Sequence, residues 1–154
     1  MRLTRVHVLA RSIAASTGMM IFAGCGTVPT AKPIEFWHVG DDAASQKLAV
    51  AVEKALTRSS DFRLTSTGPG GRLVVWITDN AGSEQVGERI KTTYSVQYAW
   101  LSKDLAKNPD PDQRVALAKE ISRQRGSCWA DKLDTCAEQI VSYARIAARK
   151  APSP

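Results

Sequence analysis

Three cysteines and one histidine hold most of the chemistry available from residue 25 onward. Cys128 and Cys136 bracket the segment CWADKLDTC, and Cys25 stands far upstream. No pair has the C-x-x-C spacing of a thiol–disulfide exchange motif. A structural zinc site needs four N or S ligands. His38 and one cysteine pair fall short of that, so no metal and no other cofactor is expected. His38 is also the only available base for a Ser-His-Asp triad. It lies between Trp37 and Val39 at the end of an apolar run, which is the setting of a packing or surface residue. No G-x-S-x-G, P-loop or H-E-x-x-H pattern occurs. The acids Glu35, Asp79, Glu84 and Glu88 would act on a glycan only if two of them converged. Asp79 and Glu84 fall in the polar segment DNAGSEQVGE, where solvated charge is the ordinary condition. No enzymatic activity is expected.

Residues 1–11 carry Arg2, Arg5 and Arg11 and no acid, and residues 12–24, SIAASTGMMIFAG, carry no charge. A basic stretch, an uncharged run of this length and small residues at its end make a secretory signal peptide over 1–24. The run is too short and too rich in Ser, Thr and Gly for a membrane-spanning helix, which needs about 20 apolar residues.

At the end of that run, Phe22-Ala23-Gly24-Cys25 resembles the lipobox of bacterial lipoproteins. The resemblance implies that the Cys25 thiol receives a diacylglycerol, that the leader is cut before it, and that the new amino group is acylated. Several acyl chains on one residue anchor stably, since each buried CH₂ contributes about 0.8 kcal/mol. Gly26, where an aspartate favours inner-membrane retention in enterobacterial lipoproteins, implies lipid anchoring at the outer membrane, facing the periplasm. Residues 26–33, GTVPTAKP, then form a short tether. Fully extended, it reaches at most about 30 Å.

Loss of the leader lowers the net charge. Without its three arginines, 18 basic residues face 15 acidic ones, for +3 rather than +6. That excess is too small to argue for nucleic acid. With Cys25 lipidated, Cys128 and Cys136 remain as an even pair in an exported chain, and they are expected to form a disulfide.

The elements follow from periodicity. IEFWHV (34–39) reads as a strand with Ile34, Phe36 and His38 on one face. Asp41 or Asp42 can cap a helix whose apolar stripe is Ala44, Leu48, Ala51/Val52 and Ala55. FRLT (62–65) and RLVVWIT (72–78) read as strands on either side of the turn cluster GPGG. From 90 to 101, Thr92, Tyr94, Val96, Tyr98 and Trp100 alternate with Lys91, Thr93, Ser95 and Gln97, a strand with one polar face. RVALAKEISRQRG fits both a helix capped by Asp110 with Pro111 first and a strand returning beside its predecessor. The strand is preferred, because a long bare sheet edge invites aggregation. T135-C-A-E138 matches a capping box that opens a helix with Cys136, Ile140, Tyr143/Ala144 and Ala147 along one stripe. Residues 151–154 are a tail.

The expected fold is a single α+β domain over 34–150. It is a two-layer sandwich of two helices on an antiparallel sheet of four to five strands, in the order β-α-β-β-β-(β)-α. That order is similar to the lipopolysaccharide-assembly lipoprotein and to small α/β domains of the TolB-N and CsgG type. The resemblance is architectural and implies no site residues beyond Cys25. The aromatic row Tyr94, Tyr98 and Trp100 is expected to be core rather than a stacking surface. The candidate working surface is R123-Q-R-G-S-C-W129, where Arg123, Arg125 and Trp129 adjoin the cysteine pair. Arg and Trp are enriched in binding hot spots. Trp129 has two readings, an exposed anchor or a small satellite core over the disulfide. The expected function is non-enzymatic binding of an envelope protein partner. The alternative is binding or processing of a glycan through loop carboxylates and Trp129.

Overall fold

The computed structural model describes residues 31–152 except 67, 69 and 80; the leader, the lipobox and Cys25 lie outside the described residues. Six strands and four helices follow in the order β1 (Lys32–His38), α1 (Ala43–Arg58), β2 (Phe62–Leu64), β3 (Arg72–Ile77), β4 (Gly82–Val86), β5 (Arg89–Leu101), α2 (Lys103–Ala106), α3 (Pro111–Leu117), β6 (Lys119–Trp129) and α4 (Leu133–Lys150). They form the expected α+β sandwich, with the long helices α1 and α4 on one face of one sheet.

Asp42 starts α1. Its carboxylate accepts hydrogen bonds from the backbone N–H groups of Ala44 and Ser45, filling two of the donors that a helix start leaves open. The stripe Leu48, Ala51, Val52 and Ala55 is buried, as its spacing requires. On α4 the buried stripe is Cys136, Ile140, Ala144 and Ala147. Both stripes meet Ile34, Leu73, Val75, Ile77, Tyr94, Val96 and Tyr98 in one cluster between helices and sheet. Completely burying each of the larger aliphatic side chains, such as Leu48, Val52 and Ile140, contributes roughly 1.5–3 kcal/mol.

The sheet differs from the expected antiparallel arrangement on one side. β1 pairs in parallel with both β2 and β3, Ile34 standing between Leu64 and Leu73. The physical reason is α1, which carries the chain back along its own length before β2 begins, so that β2 enters in the direction of β1. The rest is antiparallel: β5 takes β3 along its C-terminal half, β4 along its N-terminal half, and β6 on its other side.

Two local expectations are corrected. The segment assigned to a polar loop contains β4, which turns back into β5 through Gly87 at φ +62°. Its side chains are all exposed, so no apolar alternation marks it. The last helix begins at Leu133 rather than at the Thr135 capping box, because a 3-10 turn at Ala130–Lys132 leads straight from β6 into it. The ambiguous segment resolves into both readings in succession. Asp110 caps α3 with Pro111 at its start, and β6 then returns beside β5, with a bulge that leaves Ile121 out of the pairing.

On the sheet face away from α1 and α4, the segment spanning α2 and α3 covers one end. Leu105, Ala106 and Ala118 pack there on Val74, Ala99, Leu101, Trp37 and Trp76. Arg114 of α3 reaches down to Glu35 of β1, which also holds Arg72 of β3. All three side chains are no more than 6% exposed.

Candidate binding surface

Beyond the reach of α2 and α3, no helix or strand covers the same sheet face among the described residues, although Ser95 and Gln97 on it are buried beneath their neighbours. The register of β5 and β6 sets Lys91 beside Trp129, Thr93 beside Ser127, Ser95 beside Arg125 and Gln97 beside Arg123. Alternation puts all eight on one face. Arg123, Arg125 and Trp129, separated along the chain, are thus brought into one row on β6. Arg123 is held by Gln97 at 3.2 Å and by Glu120 at 3.0 Å. Arg125, Lys91 and Lys132 form no ion pair among the described residues.

Trp129 is not a cover over the disulfide. Cys128 points to the helix face and packs against the main cluster, while Trp129 belongs to neither apolar cluster and faces the open side. The Arg89 guanidinium lies 4.0 Å from the centre of its ring. The same guanidinium donates to both carboxylate oxygens of Asp131, at 2.9 and 3.2 Å. That hydrogen bonding holds the Asp131 carboxyl below the usual carboxylate range. Arg89 thereby fixes the Trp129 ring from β5 and ties it to the turn before α4. Sequence reasoning did not single out Arg89. Its signal is the odd-numbered polar face of β5, which becomes informative only when β6 is known to lie alongside.

The cysteines are joined. Cys128 is the last residue but one of β6, Cys136 lies in the first turn of α4, and their Cα atoms are 6.0 Å apart. The bridge pins the start of α4 to the end of β6. A shallow groove runs along the sheet edge here, and Cys128 lines it together with Lys91, Ser127, Trp129, Lys132, Thr135 and Gln139.

The carboxylates do not gather. Asp79, Glu84 and Glu88 are exposed. Glu35 is not a loop acid: it is buried on β1, where its oxygens accept from Arg72 Nε at 2.6 Å and from Arg114 Nη1 at 3.4 Å. Arg72 also donates to the carbonyl oxygens of Gly68 and Ser66. Among the described residues, no group of three or more His, Cys, Asp or Glu side chains has a metal-binding arrangement.

Of the expected aromatic core, Tyr94 and Tyr98 are buried under α4, while Trp100 is only partly buried and belongs to neither apolar cluster. The Tyr98 hydroxyl meets Gln124 Oε1 at 2.7 Å and the Ile140 carbonyl at 3.1 Å, and burial raises the pKa of both phenols. His38 stacks on Phe36 on the helix face, a packing residue as expected. Among the described residues, no helix is long and apolar enough to cross a membrane.

The chain matches no family model, and no curated protein is similar to it in sequence. Among solved structures it is similar to a minor lipoprotein from Acinetobacter baumannii, at 12% identity and a TM-score of 0.46, covering 80% of this chain and 98% of that one. It is also similar to a DUF330 protein from Xanthomonas campestris, at 9% identity and a TM-score of 0.47, covering 80% and 90%.

Proposed function

We propose that this protein is an envelope lipoprotein, anchored through Cys25 at the outer membrane with its domain in the periplasm. We read the domain as a non-enzymatic binding module for an envelope protein partner. One observation carries the binding role: Arg123, Arg125 and Trp129 stand in a row on an open sheet face, with the Trp129 ring held by Arg89. A tryptophan already held in place loses little side-chain freedom on binding, and partly exposed arginines beside it supply directional polar contacts. The glycan alternative needs convergent acids. The candidate acids are dispersed over the surface or, for Glu35, locked between two arginines. The lipobox and a disulfide in the finished fold fit an exported, anchored chain.

The test is photo-crosslinking in intact cells from Ser127, on the proposed surface, with Thr57 on the exposed side of α1 as the control position. A discrete protein adduct from position 127, absent from position 57 and weakened by Trp129→Ala, is the expected result. The same adducts from both positions, or none from 127, would remove the binding surface. Separately, Cys25→Ala should release the protein from membranes or leave it unprocessed. A processed variant that still fractionates with the outer membrane would overturn the anchor.

A further inference from the structure

Among the described residues, three strands have a side with no neighbour: β2, three residues long, β4, five residues long, and β6, which runs for 11 residues and pairs with β5 alone. Long edges are ordinarily protected by charged side chains, by proline, by bulges or by a covering element, and β6 carries the first of these at Arg123 and Arg125. β6 has no proline, and its one irregularity is at Ile121, near its start. From Ser122 to Trp129 the edge is regular, and one side of its backbone is without a strand among the described residues.

The ground on either side of that edge is chemically distinct. Toward the open sheet face lie Arg123, Arg125, Lys91 and Trp129. Toward the helix face lies the flank of α4 that carries Gln139, Tyr143 and Ile146, residues four and three apart and so in one stripe. Gln139 meets the Tyr94 hydroxyl at 3.4 Å and lines the groove beside Trp129. Tyr143 is 48% exposed and Ile146 45% exposed. An occupant of the edge would thus meet cations on one face and an apolar shelf on the other.

From this geometry we infer that β6 accepts an added strand, and that the strand is an extended segment of a protein partner with acidic and apolar residues in alternation. The inference rests on the binding-module reading and specifies its partner. Backbone pairing supplies the affinity in such additions, and alternate side chains supply the specificity. Acids two residues apart would face Arg123 and Arg125, and the intervening apolar side chains would rest against Tyr143. A second copy of this chain is the poorer occupant in the register centred on Gln124, where an antiparallel twin would set Arg123 against Arg125, and like charges directly opposite are destabilising.

The experiment uses the full-length protein, purified from membranes in detergent. The probe is a capped, labelled peptide of alternating glutamate and valine. Three measurements are made: binding anisotropy, hydrogen exchange along β6, and the mass of the protein in solution. The peptide should bind, slow exchange over residues 122–128 and lose affinity in high salt. Arg125→Glu should weaken it about tenfold, as reversal of one partly exposed charge pair next to Arg123 implies. A version N-methylated at alternate residues, or one with lysine for glutamate, should bind poorly. Equal binding of the N-methylated peptide overturns strand addition. Equal binding of the lysine peptide overturns the charge preference, and self-pairing through β6 overturns the choice of occupant. If crosslinking from Ser127 captures a partner in cells while β6 exchange is unchanged by the peptide, strand addition is wrong and the binding module stands.

Discussion

Replacing Glu35 by glutamine preserves the shape of the buried triad and removes its only negative charge. Arg72 is then 1% exposed and Arg114 6% exposed with no counter-charge, and the new amide offers one carbonyl oxygen in place of two carboxylate oxygens. Breaking a buried pair from one side costs about 3–5 kcal/mol, because the charge left behind is uncompensated. Arg72 keeps the Gly68 and Ser66 carbonyls, which places the expected loss near the lower end, at about 3 kcal/mol. For a domain of roughly 120 residues, an unfolding entropy of about 2.1 cal/mol/K per residue converts this into a fall in Tm of about 12 °C. The reverse deletion is the control. Arg114→Met leaves Arg72 and Glu35 as a neutral pair and removes a guanidinium whose Nε is buried without a partner. Its cost should be nearer 1 kcal/mol, the net value of one hydrogen bond. The assay is urea unfolding followed by circular dichroism, with the disulfide intact and the slope m compared among variants. Equal losses for Glu35→Gln and Arg114→Met, or a loss below about 1 kcal/mol for Glu35→Gln, would refute charge compensation as the role of Glu35.

Three further outcomes follow from the same structure. Cys128→Ser with Cys136→Ser should lower stability by about 2.5 kcal/mol in the chain-entropy account, and added reductant should then have no further effect on unfolding. Gly126→Ala should cost about 1–3 kcal/mol by overpacking, since a Cβ there would stand 2.5 Å from Tyr94 Cζ; an unchanged Tm would mean that the buried ring moves freely. Asp42, Asp61 and Asp131 have carboxyls held below their ordinary value of 3.8 by hydrogen bonds from Ser45, Arg145 and Arg89 respectively. Lowered values stabilise the fold above the unfolded pKa, so Tm should fall as pH drops through 3.8 and below, and Arg145→Met should shallow that fall.

What the sequence revealed was local and periodic. The α1 stripe, the two-faced strand at 90–101 and the capping signals of Asp42 and Asp110 each depend on residues a few positions apart. The first two take their expected places, Asp42 caps as one of two candidates, and Asp110 caps a short helix in a segment whose preferred reading is a strand. The disulfide was legible because two cysteines eight apart leave few alternatives. What escaped depends on distant pairing. β4 has no apolar face because nothing covers it, so its strand character comes from β5 rather than from its own side chains. Arg72 and Arg114 stand 37 and 79 positions from Glu35, and three polar residues in separate segments gave no sign of a shared burial. The candidate surface was half legible. Arg123, Arg125 and Trp129 could be nominated from β6 alone, while Arg89 needed the β5–β6 register.

The parallel placement of β1 has a mechanical consequence. Any pull on the chain upstream of Lys32 enters the domain along β1. That strand lies inside the sheet, bonded to β2 on one side and β3 on the other. Tension along its axis loads the bonds of both ladders together, in shear, rather than opening them one after another from an end. The entry point is braced as well: Lys32 Nζ donates to the Ala148 carbonyl at 3.0 Å, so α4 takes up part of the strain at its final turn. A pull at the N-terminal end of β1 thus works against two ladders, whereas β6 is held by one.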